Sequence, residues 1–116
     1  MLSESEFKIN DGVLFLNGKA VNLPRKVEQI LVVDDNVIYR FVVNGKNVTN
    51  RNVGALDFNG NMKWVIEEVD SKAIFKEYDQ IYLNDNNELI ACCYIGMDFI
   101  VDLSDGTIAN YGIRKF

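Results

Sequence analysis

The sequence predicts an all-β domain, and three observations carry the prediction. Asn-Gly or Asp-Gly dipeptides recur at Asp11-Gly12, Asn17-Gly18, Asn44-Gly45, Asn59-Gly60 and Asp105-Gly106. Such pairs mark hairpins, because both turn residues of a type I′ turn take positive φ. The segments between them are short and rich in β-branched and aromatic residues: Val27 to Val33, Val37 to Val43, Met62 to Ile66 and Phe99 to Leu103. Several also alternate, as strands with one buried face do. Val37, Tyr39, Phe41 and Val43 share a face, with Arg40 on the other; Met62, Trp64 and Ile66 lie opposite Lys63 and Glu67; Thr107, Ala109, Tyr111 and Ile113 repeat the pattern.

Taken along the chain, turn signals every ~8–12 residues give about ten short, mostly antiparallel strands in hairpins. These would form a β-sandwich or a partial propeller-like sheet stack. The first two dipeptides bound hairpins near the start. Asp34-Asp35-Asn36 then separates two apolar runs, and Asn84-Asp85-Asn86-Asn87 breaks the chain before Leu89. One segment departs from the pattern. Asp70-Ser71 can cap a helix over Lys72 to Tyr78, with Ile74 and Tyr78 on one face. An isolated helix this short is marginal, so at most one helical turn is expected near 71–78.

The 116 residues, 48% of them hydrophobic and 25% charged, suit one domain over residues 1–116 with a single modest core. The apolar share is too high for a disordered acidic tail. No apolar run approaches the ~20 residues of a membrane span, and the first residues lack the pattern of a secretory signal. A cytoplasmic location is expected. Histidine is absent, which removes imidazole acid–base chemistry, the usual nucleophile–histidine pairs and most catalytic zinc sites. A net charge of −5 argues against direct binding of nucleic acid. The expectation is a protein that is not an enzyme and has no catalytic residues, metal or cofactor. Cys92 and Cys93 are adjacent, so on a strand they face opposite ways; they read as small buried hydrophobes in a reducing compartment.

Charge is unevenly spread. Residues 1–58 carry seven acids and seven bases, whereas residues 67–105 carry ten acids against Lys72 and Lys76, a local charge of −8. Solvated turns account for part of such a bias. The sharper reading is an acidic surface that steers a basic partner.

Other patterns yield to simpler explanations. Asp57-x-Asn59-x-Asn61 followed by Glu68 has calcium-loop spacing, but Met62 occupies the position that needs glycine; a hairpin turn explains the same residues. Glu67-Glu68 and Asp34-Asp35 would splay to opposite strand faces rather than converge as paired catalytic carboxylates do. Trp64, Tyr39, Tyr78, Tyr82 and Tyr94 could stack on sugars or bases, yet alternation assigns Trp64 and Tyr39 to the core.

An internal repeat is visible. Ala55-Leu56-Asp57-Phe58-Asn59-Gly60-Asn61-Met62-Lys63-Trp64-Val65-Ile66 parallels Ile100-Val101-Asp102-Leu103-Ser104-Asp105-Gly106-Thr107-Ile108. Each is a strand ending in Asp, a glycine three or four residues on, then an outgoing strand. The Asp closes its turn by accepting from backbone N–H groups. The pattern resembles pyrroloquinoline-quinone-type propeller blades. It is more closely similar to a group of small bacterial single-domain β proteins, with matches at Asn52 to Ile66, Tyr78 to Ile81, Asn87 to Ala91, Gly96, and Val101 to Ile108. Gly54 stands where those proteins usually carry a larger residue, and Asp105-Gly106 replaces their Thr-Gly. The resemblance covers the second half of the chain and carries over no catalytic or cofactor residue. Some of these proteins are immunity partners in toxin–immunity pairs, including contact-dependent growth-inhibition systems.

The expected function is therefore that of a bacterial immunity protein. Its acidic face would occlude the basic active-site surface of a cognate toxin domain, for instance a nuclease, which is basic because it must hold phosphates. The candidate partner-binding residues are Glu67, Glu68, Asp70, Glu77, Asp79, Asp85 and Asp98 for charge, with Tyr78, Tyr82 and Tyr94 as aromatic anchors. The chain would act as a monomer or homodimer with a basic protein partner, away from membranes. A small-molecule or carbohydrate-binding module and a homo-oligomeric assembly module are the alternatives.

Overall fold

The computed structural model describes residues 6–42, 51–67, 78–92 and 97–113. All regular structure among them is strand. Eleven strands run in chain order: β1 (Phe7–Asn10), β2 (Val13–Leu16), β3 (Lys19–Ala20), β4 (Val27–Val33), β5 (Asn36–Phe41), β6 (Val53–Leu56), β7 (Met62–Val65), β8 (Gln80–Leu83), β9 (Leu89–Cys92), β10 (Met97–Val101) and β11 (Ile108–Ile113). The helical turn expected near 71–78 falls almost wholly outside the described residues, as do Asn44-Gly45 and Cys93.

The strands form three antiparallel meanders, ordered β1-β2-β3, β4-β5-β6-β7 and β8-β9-β10-β11. Turn chemistry sets the first. Asp11 and Gly12 have φ of 52° and 79°, and Asn17 and Gly18 have 53° and 83°. Both dipeptides thus make the positive-φ turns that sequence predicts, pairing Asn10 with Val13 and Leu16 with Lys19.

Alternation then decides how the sheets stack. Along β5, Val37, Tyr39 and Phe41 face one way and join Leu14 and Leu16 of the first sheet with Val27 and Leu56 in one core. Ile38, on the opposite face, joins Val53, Ala55, Trp64 and Ile66 against Tyr78, Ile81, Leu89, Ala91, Phe99 and Val101 of the third-sheet segment. The middle sheet is therefore covered on both faces, and β5 and β6 are buried along their whole length. Each fully buried large apolar side chain stabilises the fold by about 1.5–3 kcal/mol relative to exposure. The first strands lie in a column, with β1 beside β4 and β4 beside β8. The result is the all-β sheet stack expected from the sequence.

Side-chain amides fasten the middle sheet to the third. Gln29 accepts from the Ile81 N–H at 3.0 Å and donates to the Ile81 carbonyl at 2.6 Å. Asn52, buried, accepts from the Tyr78 N–H at 3.0 Å and donates to the Tyr78 carbonyl at 2.8 Å. Each amide stands in for a neighbouring strand, satisfying a buried backbone donor and acceptor at once. Arg40 is also buried; it donates to Gln29 Oε1 and to Glu28, which orients the Gln29 clamp.

Candidate functional site at the turns of the third sheet

Two turns close the same end of the third sheet, one between β8 and β9 and one between β10 and β11. In the first, the Asn84 side-chain oxygen accepts from the N–H groups of Asn86 and Glu88, both at 2.9 Å. Asn87 supplies the positive φ of 60°, and the Asn84 amide donates to Glu88 Oε1 at 2.8 Å. In the second, Asp102 Oδ1 accepts from the Ser104 N–H at 2.8 Å and the Ser104 hydroxyl at 2.6 Å. Asp105 does the same for the Thr107 N–H and hydroxyl. The Ser104 hydroxyl and N–H hold the Asp102 carboxyl below its ordinary range, so it stays ionised at neutral pH.

The β6–β7 turn of the middle sheet is built alike. Asp57 Oδ1 accepts from the N–H groups of Asn59 and Asn61, both at 2.9 Å. Those bonds, the Asn61 N–H foremost, lower the Asp57 pKa. Asp57, Asn59 and Asn61 of the calcium-loop spacing thus serve a hairpin turn, and Glu68 lies outside the described residues. Among the described residues, no group of three or more acidic or cysteine side chains is placed to hold a metal ion.

The repeated turns also join the layers. Trp64 of β7 donates from Nε1 to the Leu103 carbonyl at 2.8 Å, and its ring lies against Gly106, where an added Cβ would come within 2.6 Å of Trp64 Cε3. One layer earlier, Leu16 lies against Gly60 of the Asp57 turn. Glu67 continues the Trp64 contact: its Oε1 accepts from the Ile108 N–H at 2.8 Å.

The ten partner-binding candidates separate in space and role. Glu68, Asp70, Glu77 and Tyr94 lie outside the described residues. Tyr78 is not a surface anchor: it is fully buried, edge-on to Phe99 at 5.6 Å, because Asn52 draws its backbone into the interface between sheets. Glu67 is exposed, but its carboxylate is bonded to Ile108. Asp79 and Asp98 both neighbour Cys92: Asp79 donates its N–H to the Cys92 carbonyl, and Asp98 pairs with Cys92 across β9 and β10. They sit at the opposite end of the sheet from Asp85, which is exposed in the β8–β9 turn. Tyr82, 37% exposed, precedes that turn.

The sequence reading missed Glu88, Asp102 and Asp105 as members of one carboxylate-bearing end. It also missed Asn84-x-Asn86-Asn87-Glu88 as another copy of the Asp57 turn. The signal was present: a side-chain acceptor, a backbone donor two residues later, and a residue tolerant of positive φ three residues on. Asn in place of both Asp and Gly concealed it.

Among the described residues, no helix is long and apolar enough to cross a membrane. No curated protein and no solved structure matches the chain. Residues 4–113, which include every strand of the three-sheet stack, match a domain family of unknown function, DUF7957, and the chain belongs to that family.

Proposed function

We propose that the chain is a non-enzymatic binding protein, a bacterial immunity protein that neutralises a cognate toxin domain by laying an anionic surface over its basic active-site residues. The supporting observation is the turn end of the third sheet. There Asp85, Glu88, Asp102 and Asp105 stand on two turns locked by side-chain-to-backbone hydrogen bonds, beside the exposed Tyr82. The bonded Glu88, Asp102 and Asp105 carboxylates pay little ordering entropy on association, and Asp85 stands exposed on the backbone of the same turn as Glu88. They also steer a basic partner at long range, and an adjacent aromatic side chain supplies the kind of contact that dominates interface energy.

The test is to co-express the chain with the C-terminal domain encoded by its upstream neighbour. Growth arrest by that domain alone, relieved by this chain in an isolable complex, is the expected result. In that complex Asp85→Lys slows association about tenfold at low salt and less at high salt, and Tyr82→Ala mainly accelerates dissociation. No arrest and no complex would overturn the immunity reading. A complex whose association ignores Asp85→Lys would remove the anionic turn end from it.

A further inference from the structure

Among the described residues, the first sheet has three strands where the other two have four. β1 lies beside β4, Leu14 and Leu16 of β2 pack on Val37, Tyr39, Phe41 and Leu56 of β5 and β6, and a groove along β3 is lined on its other side by Phe58, Asn59 and Gly60 of the β6–β7 turn. The two faces of β7 register the difference. Trp64, toward the four-stranded third sheet, is 6% exposed; a register shift between Ala55 and Leu56 takes Met62 off the face that simple alternation gives it with Trp64 and onto the Leu56 face toward the first sheet, where it is 50% exposed. Among the described residues, no strand pairs with the outer edge of β3.

The β3 backbone suits that position. The two-residue Asn17-Gly18 turn makes Leu16 and Lys19 the hydrogen-bonded closing pair, and the Val21 N–H donates inward to the Leu14 carbonyl at 2.8 Å. Antiparallel alternation therefore turns the Ala20 N–H and C=O outward, away from β2. Two surface grooves of about 540 and 460 Å³ flank this edge and share Ala20, Val21 and Asn22 as lining. Among the described residues, their linings carry Lys19, Arg25 and Lys26 and no acid. Neither Lys19 nor Lys26 forms an ion pair among the described residues.

We propose that the outer edge of β3 docks an extended, acidic segment of a partner protein, which adds a strand to the first sheet. Its backbone pairs with Ala20, its carboxylates meet Lys19 and Lys26, and an apolar side chain covers Met62. Strand addition of this kind takes affinity from main-chain hydrogen bonds and selectivity from alternate side chains. The site lies on the outer layer opposite the third sheet and is independent of the function proposed above.

The probe is a blocked heptapeptide alternating glutamate with valine, titrated into the labelled full chain and followed by amide and methionine-methyl NMR. Saturable shifts at Ala20, Asn22 and the Met62 methyl are expected. The all-lysine analogue and an analogue N-methylated on alternate amides should bind at least about tenfold more weakly. Ala20→Pro removes only an outward N–H, which an edge strand tolerates, so the variant keeps its fold and loses the binding. Lys19→Glu with Lys26→Glu reverses the preference between the glutamate and lysine peptides. Absence of saturable shifts, or equal affinity in folded Ala20→Pro, would overturn the proposal. So would a dimer abolished by Ala20→Pro with no response to the peptide, which would assign the edge to a second copy of the chain.

Discussion

Gly54 illustrates how a single position is decided by its neighbour. It pairs with Tyr39 across β5 and β6, and a Cβ built on it would stand 2.2 Å from the Tyr39 hydroxyl oxygen. The ring occupies the space that a side chain on β6 would fill. The sequence showed only that Gly54 departs from the resembling proteins; the reason lies on another strand. Gly54→Ala should destabilise the fold by about 2–3 kcal/mol through overpacking. In a Tyr39→Leu background most of that penalty should vanish, which urea denaturation of the four proteins in the cycle will measure. Burial also pushes the Tyr39 phenol from 10.0 up to about 12. The unfolded phenol ionises near 10 while the folded one stays protonated to near 12. Stability should therefore be intact below pH 10 and fall as pH rises through that window, by roughly 2–3 kcal/mol. Tyr39→Phe should remove this part of the alkaline loss.

At the scale of elements, strands and turns were legible where local chemistry alone decides them. Asp11-Gly12 and Asn17-Gly18 need positive φ whatever surrounds them, and the alternation of Val37, Tyr39 and Phe41 needs only one apolar face. Tyr78 was misread because its place depends on Asn52, 26 residues away in sequence. No local pattern announces that a polar side chain will bind another segment's backbone. Asn52→Ala should cost about 2–4 kcal/mol, since it leaves a buried N–H and a buried C=O without partners. Asn52→Asp should cost more, because a carboxylate accepts from the Tyr78 N–H but repels its carbonyl. Hydrogen exchange at the Tyr78 amide should accelerate strongly in both variants, whereas amides of the β1–β2 hairpin should change little.

At the scale of the whole molecule, the layered order was partly legible. The repeat at Asp57 and Asp102 marks the corresponding third-to-fourth-strand turns of the middle and third sheets, so the sequence did show that units recur. It did not show that sheets would stack with the middle one covered on both faces. That follows from β5, which was read as having one apolar face and a charged one. In the structure Arg40 is buried on the second face, its charge met by Glu28 and its donors by Gln29 and a backbone carbonyl. The charge asymmetry was legible as a total but not as a surface. Asp57, Glu67, Glu88, Asp102 and Asp105 all have carboxylates engaged in turns or layer contacts, whereas Asp85 is exposed in its turn.

Among the described residues the two cores share none: one is built from the first and middle sheets, the other from the middle and third. Thermodynamically, the outer sheets can exchange free energy only across one layer of backbone whose side chains already have fixed partners on each side. A chain assembled in this way behaves as a one-dimensional array with nearest-neighbour terms. Ala20→Pro and Asp85→Lys should then be additive in stability to within about 0.5 kcal/mol. Occupancy of one outer sheet should leave affinity at the other unchanged, so the middle sheet works as an insulator, and two partners could be held on one small domain without either sensing the other.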